Sequence, residues 1–556
     1  MCTMKILDDA RHRRLLLLVL WAAAALYVLQ YLPRGWIAHD EGTIGQSAER
    51  VLGGELPHRD FDDPYTGGLA WVNAGAMRIF GVNLLAPRLM LYLVFLGWVP
   101  ALWGIARRVA PPAAALLFVA LAIAWSVPAY SVALPSWYNT FFATFGVLAL
   151  MKWLEEPRAR WLAVAGAMGG LSILFKIVGL YYVAAGLLFL AYHEQHASRT
   201  RRAVAGDGVI GPFGVALMAL VGCFLALVSL TVGGEHHARQ LVTWVLPIAA
   251  VCALVVREEL AWRHEAFAAR LRRLVAGALP FLGGVAVPVA LFLLPYLVTG
   301  SVGALVDDVL VKPRRRAAFA HQPPPALREL LGGVPVLLLV LLPARWWRAR
   351  RRAAVAIAGL LLAALLVVAR DRLPFFISWA MLSSLLPVLG VCGAIVAARH
   401  ADDSRAAQQR FLLLAAATLC ALVQYPFASR IYYLYSLPLF ALAWLATLVA
   451  PGTARAGEEG GAEPAPSRAP AATGSLLLAG YFLGFALWAI HPGFIWNMGT
   501  VGRRFRPDVQ NILLPPPRGG ITVGPGAYAV YAATIDFVRG KAHGEYVYAA
   551  PDAPEV

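Results

Sequence analysis

Residues 11–32 read RHRRLLLLVLWAAAALYVLQYL: Arg11, His12, Arg13 and Arg14 run directly into eighteen residues that carry no charge. The hydrocarbon core of a bilayer takes about 20 apolar residues of helix, so Leu15–Leu32 predicts a spanning segment. Its basic flank predicts a cytoplasmic N-terminus. Only that flank is reminiscent of a secretory leader. A small-residue cleavage site is not well placed and many apolar runs follow, so the segment is expected to stay as an uncleaved first helix.

The rest of the chain agrees with that opening. Of its 556 residues, 60% are hydrophobic and 14% charged, with a mean hydropathy of +0.66. Soluble domains are nearer ~45–50% apolar. A cytosolic enzyme, a disordered tail protein and a fibrous protein are therefore excluded. Further spans are expected at 86–106, 111–129, 137–153, 161–176, 177–192, 209–231, 241–256, 274–298, 331–344, 353–369, 376–398, 411–425, 431–450 and 475–496. Some are short or interrupted by Pro280, Pro288, Pro335 or Pro387, which gives an all-α polytopic membrane protein with roughly 12–15 transmembrane helices.

The formal net charge is +17, from 48 Lys and Arg against 31 Asp and Glu. With the N-terminus inside, alternate connections should face the cytoplasm. Together with the N-terminal residues, those connections (Arg107-Arg108, 152–160, 199–202, 257–273, 345–352, 399–410 and 455–468) hold 27 of the 48 basic residues. The excess thus orients a multi-pass protein of the plasma (inner) membrane, with 34–85 on the extracytoplasmic side. Basic runs scattered between apolar segments do not form a nucleic-acid footprint, so no nucleic-acid partner is expected.

Residues 1–450 read as one transmembrane domain, and 451–474 as a cytoplasmic Pro/Gly/Ala linker without a packable face. A last span at 475–496 leads to a small extracytoplasmic segment, 497–556. There a strand (Ile521–Val523), a helix (Ala527–Arg539) and a strand (Tyr546–Ala549) predict a β-α-β tail. Such a piece either docks on the membrane domain or belongs to an incomplete domain. The cysteines lie in apolar runs or at the start, with no CxxC spacing, and are expected to be buried thiols. The 17 Trp are expected as belts at span ends.

The segment 34–85 carries the chemistry. His39-Asp40-Glu41-Gly42 follows the first span, then an amphipathic stretch, Ile44–Leu52, suited to the membrane interface. After it comes Gly54-Glu55-Leu56-Pro57-His58-Arg59-Asp60-Phe61-Asp62-Asp63-Pro64-Tyr65. Acids at 40, 41, 55, 60, 62 and 63 would gather on the outer membrane surface, where topology does not demand them. From the residues alone, a solvated loop is an equal reading.

The Asp-Glu pair after the first helix, the Arg59–Tyr65 run and the following LAWVNAGAMRIFGVNLLAPRLM (69–90) resemble the polyprenyl-phosphate-sugar-dependent glycosyltransferases of the GT-C class. That class includes protein O-mannosyltransferases and the aminoarabinose transferases of lipid A. The resemblance covers about residues 30–190 and returns weakly at Ser429–Pro438 (SRIYYLYSLP). It implies a GT-C-like helical bundle that transfers a sugar from a polyprenyl-phosphate donor to a lipid, glycan or protein acceptor. By that resemblance Asp40 would be the base, and Glu41 its neighbour in positioning or in a divalent-metal shell. One of Asp60, Asp62 and Asp63 would be a second acid, and Tyr65 would line the site. A single displacement at the anomeric carbon inverts configuration, unlike the double displacement of retaining glycosidases. The class's proteins continue past the point where this chain ends, so the C-terminal segment is expected to be truncated.

The donor's phosphate calls for cations. Lys176, in GGLSILFKIVGLYY, lies at the expected outer end of a span, where an ionisable side chain is a functional candidate and snorkelling the alternative. Lys312, Arg314, Arg315 and Arg316 form an outer basic run beside Asp307 and Asp308, suited to a phosphate or to lipid headgroups. Arg430 with Tyr432 and Tyr433 sits at another outer end, where aromatic anchoring is the alternative. His193-Glu194-Gln195-His196 lacks zincin spacing and is expected to be a solvated turn, and no Gly-rich nucleotide motif occurs. Two rival functions remain: a transporter or flippase of lipid-linked saccharides, which would need more ionisable residues inside spans, and a non-catalytic scaffold.

Overall fold

The structure, a computed structural model, describes residues 10–199, 210–232, 236–260, 266–313, 322–335, 337, 351–399, 405–449, 469–490, 512–514 and 519–541. Among the described residues the fold is all-α apart from one two-stranded ribbon near the C-terminal end. The first half contains α1 (Ala10–Leu29), α2 (Thr43–Leu52), α3 (Gly68–Phe80), α4 (Leu85–Val109), α5 (Pro112–Ala124), α6 (Pro135–Glu155), α7 (Ala159–Phe175) and α8 (Leu180–Arg199). Then follow α9 (Pro212–Thr231), α10 (His237–Leu260), α11 (Phe267–Val298), α12 (Val302–Val306), α13 (Arg351–Val367), α14 (Arg372–Arg399), α15 (Arg405–Cys420), α16 (Arg430–Trp444) and α17 (Ala469–Phe485). Strands β1 (Ile512–Leu513) and β2 (Thr522–Val523) and helix α18 (Pro525–Lys541) complete the described chain.

Among the described residues, ten helices are long and apolar enough to cross a membrane, and three shorter apolar ones stand beside them. That agrees with the range read from the sequence. Most of the expected span 331–344 lies outside the described residues, and its described approach, Leu327–Gly333, is a short 3₁₀ segment. The expected linker also lies outside them as far as residue 468, but α17 begins at Ala469, inside the stretch read as linker.

Burial separates inner helices from outer ones. The apolar windows of the spans Arg405–Gln424 and Arg430–Val449 are 89% and 94% buried, whereas that of α11 is 17% buried. The side chains α11 exposes include Leu279, Leu291 and Leu297, an apolar surface suited to lipid. Trp98, Trp125, Trp137 and Trp244 are fully buried. These four are core residues rather than belt residues, because the wide ring fills space between helices that cross at an angle. Cys252 and Cys392 are buried as expected, while Cys223 is exposed on α9, an outer helix.

Helices α7 and α11 cross with their backbones in close approach. A Cβ on Gly166 would lie 1.8 Å from the carbonyl oxygen of Phe281, and one on Gly170 2.4 Å from that of Val285. Glycines four residues apart thus let two backbones touch, the small-residue packing common between membrane helices. This crossing fixes the end of α7, where Lys176 emerges.

Two further expectations need correction. The amphipathic stretch 44–52 does form α2, but Ala48 and Val51 pack against Ala70, Ala74 and Met77 of α3. Its apolar face is therefore spent inside the protein. His193–His196 is not a solvated turn: it continues α8, with Glu194, Gln195 and His196 buried. Arg270 binds Glu194 and Glu259 there, at 2.8 and 2.5 Å, and Arg273 adds a bond to Glu194 at 2.9 Å. Partners from α10 and α11 make burial of these charges tolerable, and a single-helix reading cannot see them.

The tail bears out its first expected strand and its helix, as β2 and α18, and adds a strand before them. Thr522–Val523 pairs antiparallel with Ile512–Leu513, so the described unit is a hairpin followed by a helix. The expected strand at Tyr546–Ala549 lies outside the described residues. The hairpin docks on the membrane domain: Thr522 N–H donates to the Pro33 carbonyl at 2.6 Å, and Gly35 N–H to the Thr522 carbonyl at 2.8 Å. Trp36 packs with Ile521, Val523 and Tyr531. The C-terminal segment therefore holds the chain immediately before Asp40.

Candidate active site

Residues 32–41 are held from beneath by one side chain that the sequence reading did not single out. Arg88, at the start of α4, is fully buried. Its guanidinium grips both oxygens of Glu41, at 2.6 and 2.7 Å, and also donates to the carbonyls of Leu32, Arg34 and Gly35. Glu41 Oε2 further accepts the Ile37 N–H at 2.9 Å. The planar fork of arginine suits such a bidentate grip. Glu41 is thereby committed to shaping the loop.

The turn so fixed, Ala38–Gly42, is one wide π-type turn leading into α2, a backbone form that recurs at functional sites. It presents Asp40. The Tyr130 hydroxyl donates to Asp40 Oδ2, and His39 Nε2 lies 3.6 Å from the same oxygen. Among the described residues no hydrogen bond reaches Oδ1. Burial, reinforced by the negative charge of Asp40, raises the Tyr130 pKa well above the ordinary phenol value.

Lys176 lies at the break between α7 and α8. The helix stops because Lys176 adopts extended backbone angles, and a 3₁₀ turn at Ile177–Gly179 restarts it. Asn139 of α6 donates to the Ser172 carbonyl at 2.8 Å, just before the break. The ammonium donates to Ser136 Oγ at 3.3 Å and lies 4.8 Å from the ring centre of Tyr432. Among the described residues it has no carboxylate partner. Tyr432 in turn packs edge-on against Tyr435, whose hydroxyl is buried without a hydrogen bond and lies within electrostatic range of Asp40 and Tyr65. An unpaired carboxylate oxygen, an unpaired ammonium and an unsatisfied phenol thus converge at one end of the bundle.

The other candidates sort into separate groups. Asp60 is tied within its loop: Arg59 holds it through paired bonds at 2.8 and 2.6 Å, and Leu56 N–H donates to it. These bonds lower its pKa to about 2. Asp62 pairs with Lys312 at 2.7 Å, and Lys312 also meets Asp308 at 2.5 Å. Asp308 in turn faces His58 Nδ1 at 3.1 Å. Lys312 therefore does face the acidic loop, as a tie between 54–65 and 302–312. Asp63 is buried, accepting the Tyr65 N–H at 2.8 Å, and burial raises its pKa above the usual carboxylate value. Arg314, Arg315 and Arg316 lie outside the described residues.

Arg430 does not join Lys176. It stands over Phe375, Phe376 and Trp379, 5.0 Å from the ring centre of Trp379, with Nη1 lacking a hydrogen bond. Tyr433 points into the core and donates to the Leu382 carbonyl. For a divalent ion the donor set is thin. Among the described residues no three ligating side chains converge, and both Glu41 oxygens are engaged by Arg88, so Asp40 alone could contribute.

Sequence reasoning missed Arg88, Tyr130, Ser136 and Tyr435. An arginine inside the apolar run LLAPRLM was a usable signal, since a charge there must be paired. A tyrosine in PAYSVALPSWY carried none.

No curated protein matches this sequence. Among solved structures, the chain is similar to ArnT from Cupriavidus metallidurans bound to undecaprenyl phosphate, with 16% identity and a TM-score of 0.25, covering 77% of this chain and 76% of that one. It is also similar to the Archaeoglobus fulgidus oligosaccharyltransferase in the apo form, with 16% identity and a TM-score of 0.30, covering 76% of this chain and 56% of that one. The family model described as "Dolichyl-phosphate-mannose-protein mannosyltransferase" matches residues 66–224, which contain Arg88, Tyr130, Ser136 and Lys176. The match is confined to that segment, over which the chain is similar to the family so described.

Proposed function

We propose that the protein transfers a sugar from a polyprenyl-phosphate donor to a hydroxyl-bearing lipid, glycan or protein acceptor, on the extracytoplasmic face of the plasma membrane. The observation that carries this reading is the pairing of a carboxylate with a free oxygen, Asp40, and an ammonium without a carboxylate, Lys176, across a common wall of Tyr130, Tyr435 and Tyr432. A lipid-linked sugar phosphate offers its glycosidic bond at the membrane surface, where such a pair can meet it. Asp40 accepts the proton of the acceptor hydroxyl. The acceptor oxygen bonds to the anomeric carbon as the carbon–oxygen bond to phosphate breaks, and the electron pair leaves on the phosphate. Lys176 lies where it can neutralise that charge. One displacement inverts the anomeric configuration. The side of the membrane follows from the charge bias of the alternate connections.

The test is transfer in membranes from radiolabelled undecaprenyl-phosphate mannose, glucose, arabinose and aminoarabinose. Wild type is expected to use at least one donor and Asp40→Asn to lose transfer. Full transfer by Asp40→Asn removes the base assignment. Failure of wild type with every donor overturns transfer itself and favours a carrier of lipid-linked saccharides.

A further inference from the structure

The displacement proposed above leaves Tyr130 without a role, although its hydroxyl is the group bonded to the proposed base. We infer that Tyr130 is a positioning residue: by donating to Asp40 Oδ2 it turns the carboxylate so that Oδ1 alone receives the acceptor's proton. This rests on the reading of Asp40 as base.

The placement is rigid. Every residue from Ser126 to Leu134 is buried, and Trp137 Nε1 donates to the Tyr130 carbonyl at 2.9 Å. Ser131 Oγ donates to the Tyr31 carbonyl at 3.3 Å, tying this loop to the end of α1. Such a phenol keeps its proton across the working range, so it can only donate to the carboxylate and cannot compete as the base. With Tyr130 and His39 both at Oδ2, the oxygen left open is Oδ1. During transfer the acceptor's proton moves to Oδ1, the new carbon–oxygen bond forms and the phosphate departs with the electron pair of the broken one. Tyr130 retains its own proton throughout. A hydrogen bond to the carboxylate costs the base some proton affinity, and the gain is alignment, which general acid–base catalysis requires within hydrogen-bond reach.

The experiment uses the full chain in membranes, with whichever of the four radiolabelled undecaprenyl-phosphate sugars wild type transfers as donor. Tyr130→Phe is expected to lower kcat by about 10- to 100-fold, with the donor KM unchanged. Tyr130→4-aminophenylalanine keeps a donor at the same place and should restore activity, which separates positioning from a folding defect. Unchanged kcat in Tyr130→Phe beside an inactive Asp40→Asn overturns the inference alone. A raised donor KM with kcat intact overturns it too, making Tyr130 a binding residue. Activity in Asp40→Asn, or no transfer by wild type from any of the four donors, removes the underlying reading and the inference with it.

Discussion

Arg88 and Glu41 form a fully buried two-bond ion pair, 47 residues apart in sequence, and the same guanidinium holds three backbone carbonyls of the turn that carries Asp40. On the proposed reading the pair positions Asp40, with both Glu41 oxygens engaged by Arg88. Removing one member leaves a buried charge uncompensated, at about 3–5 kcal/mol. Arg88→Met is therefore expected to lower the thermal midpoint in detergent by several degrees and to abolish transfer. Arg88→Lys should rescue little, since one ammonium cannot span both carboxylate oxygens and three carbonyls. A stable and active Arg88→Met would remove the pair from the explanation of the site.

Lys176 gives a different signature. If it faces the donor phosphate, Lys176→Ala should raise the donor KM by roughly 10- to 100-fold, about 1.4–2.7 kcal/mol of binding. The acceptor KM should stay as it was. Lys176→Arg keeps the charge and should recover part of the loss. Steady-state kinetics with varied donor checks this, and a loss confined to the acceptor side would place the phosphate elsewhere, with Arg430 the next candidate.

The tie between the first loop and 302–312 has a predictable pH dependence. Lys312 holds the Asp62 pKa down, so that contribution is present above about pH 3.9 and lost as pH falls through the depressed value. Asp308 and then Asp62 hold the Lys312 pKa up, so its contribution is present below about pH 10.4 and lost as pH rises through the raised value. Between about pH 5 and 9 the tie should be level. Hydrogen exchange of 302–313, corrected for intrinsic rates, should show flat protection over that window, and Lys312→Met should lower it by about two- to fivefold. A slope within the window would show that the Lys312 pairs do not control the contact.

What the sequence by itself determined is what a bilayer imposes on each segment separately. An apolar run such as Leu15–Leu32 has to be a helix in lipid, because only a helix satisfies its own backbone there. The helical bundle, the approximate spans and Lys176 as a candidate followed from that, while Asp40 was singled out in the acidic segment by the family resemblance. What only the tertiary structure decided is which charges are spent on one another. Glu41, Asp62 and Lys312 looked as available as Asp40 and Lys176, until Arg88, Asp308 and the crossing of α7 on α11 were placed. His193–His196 read as solvated because its partners lie on α10 and α11. Tyr130 had no signal at all, since a tyrosine in an apolar stretch gains a role only from the carboxylate it meets 90 residues away. Hydropathy is a property of one segment, whereas the state of a buried charge belongs to a pair. Pairs are formed by packing.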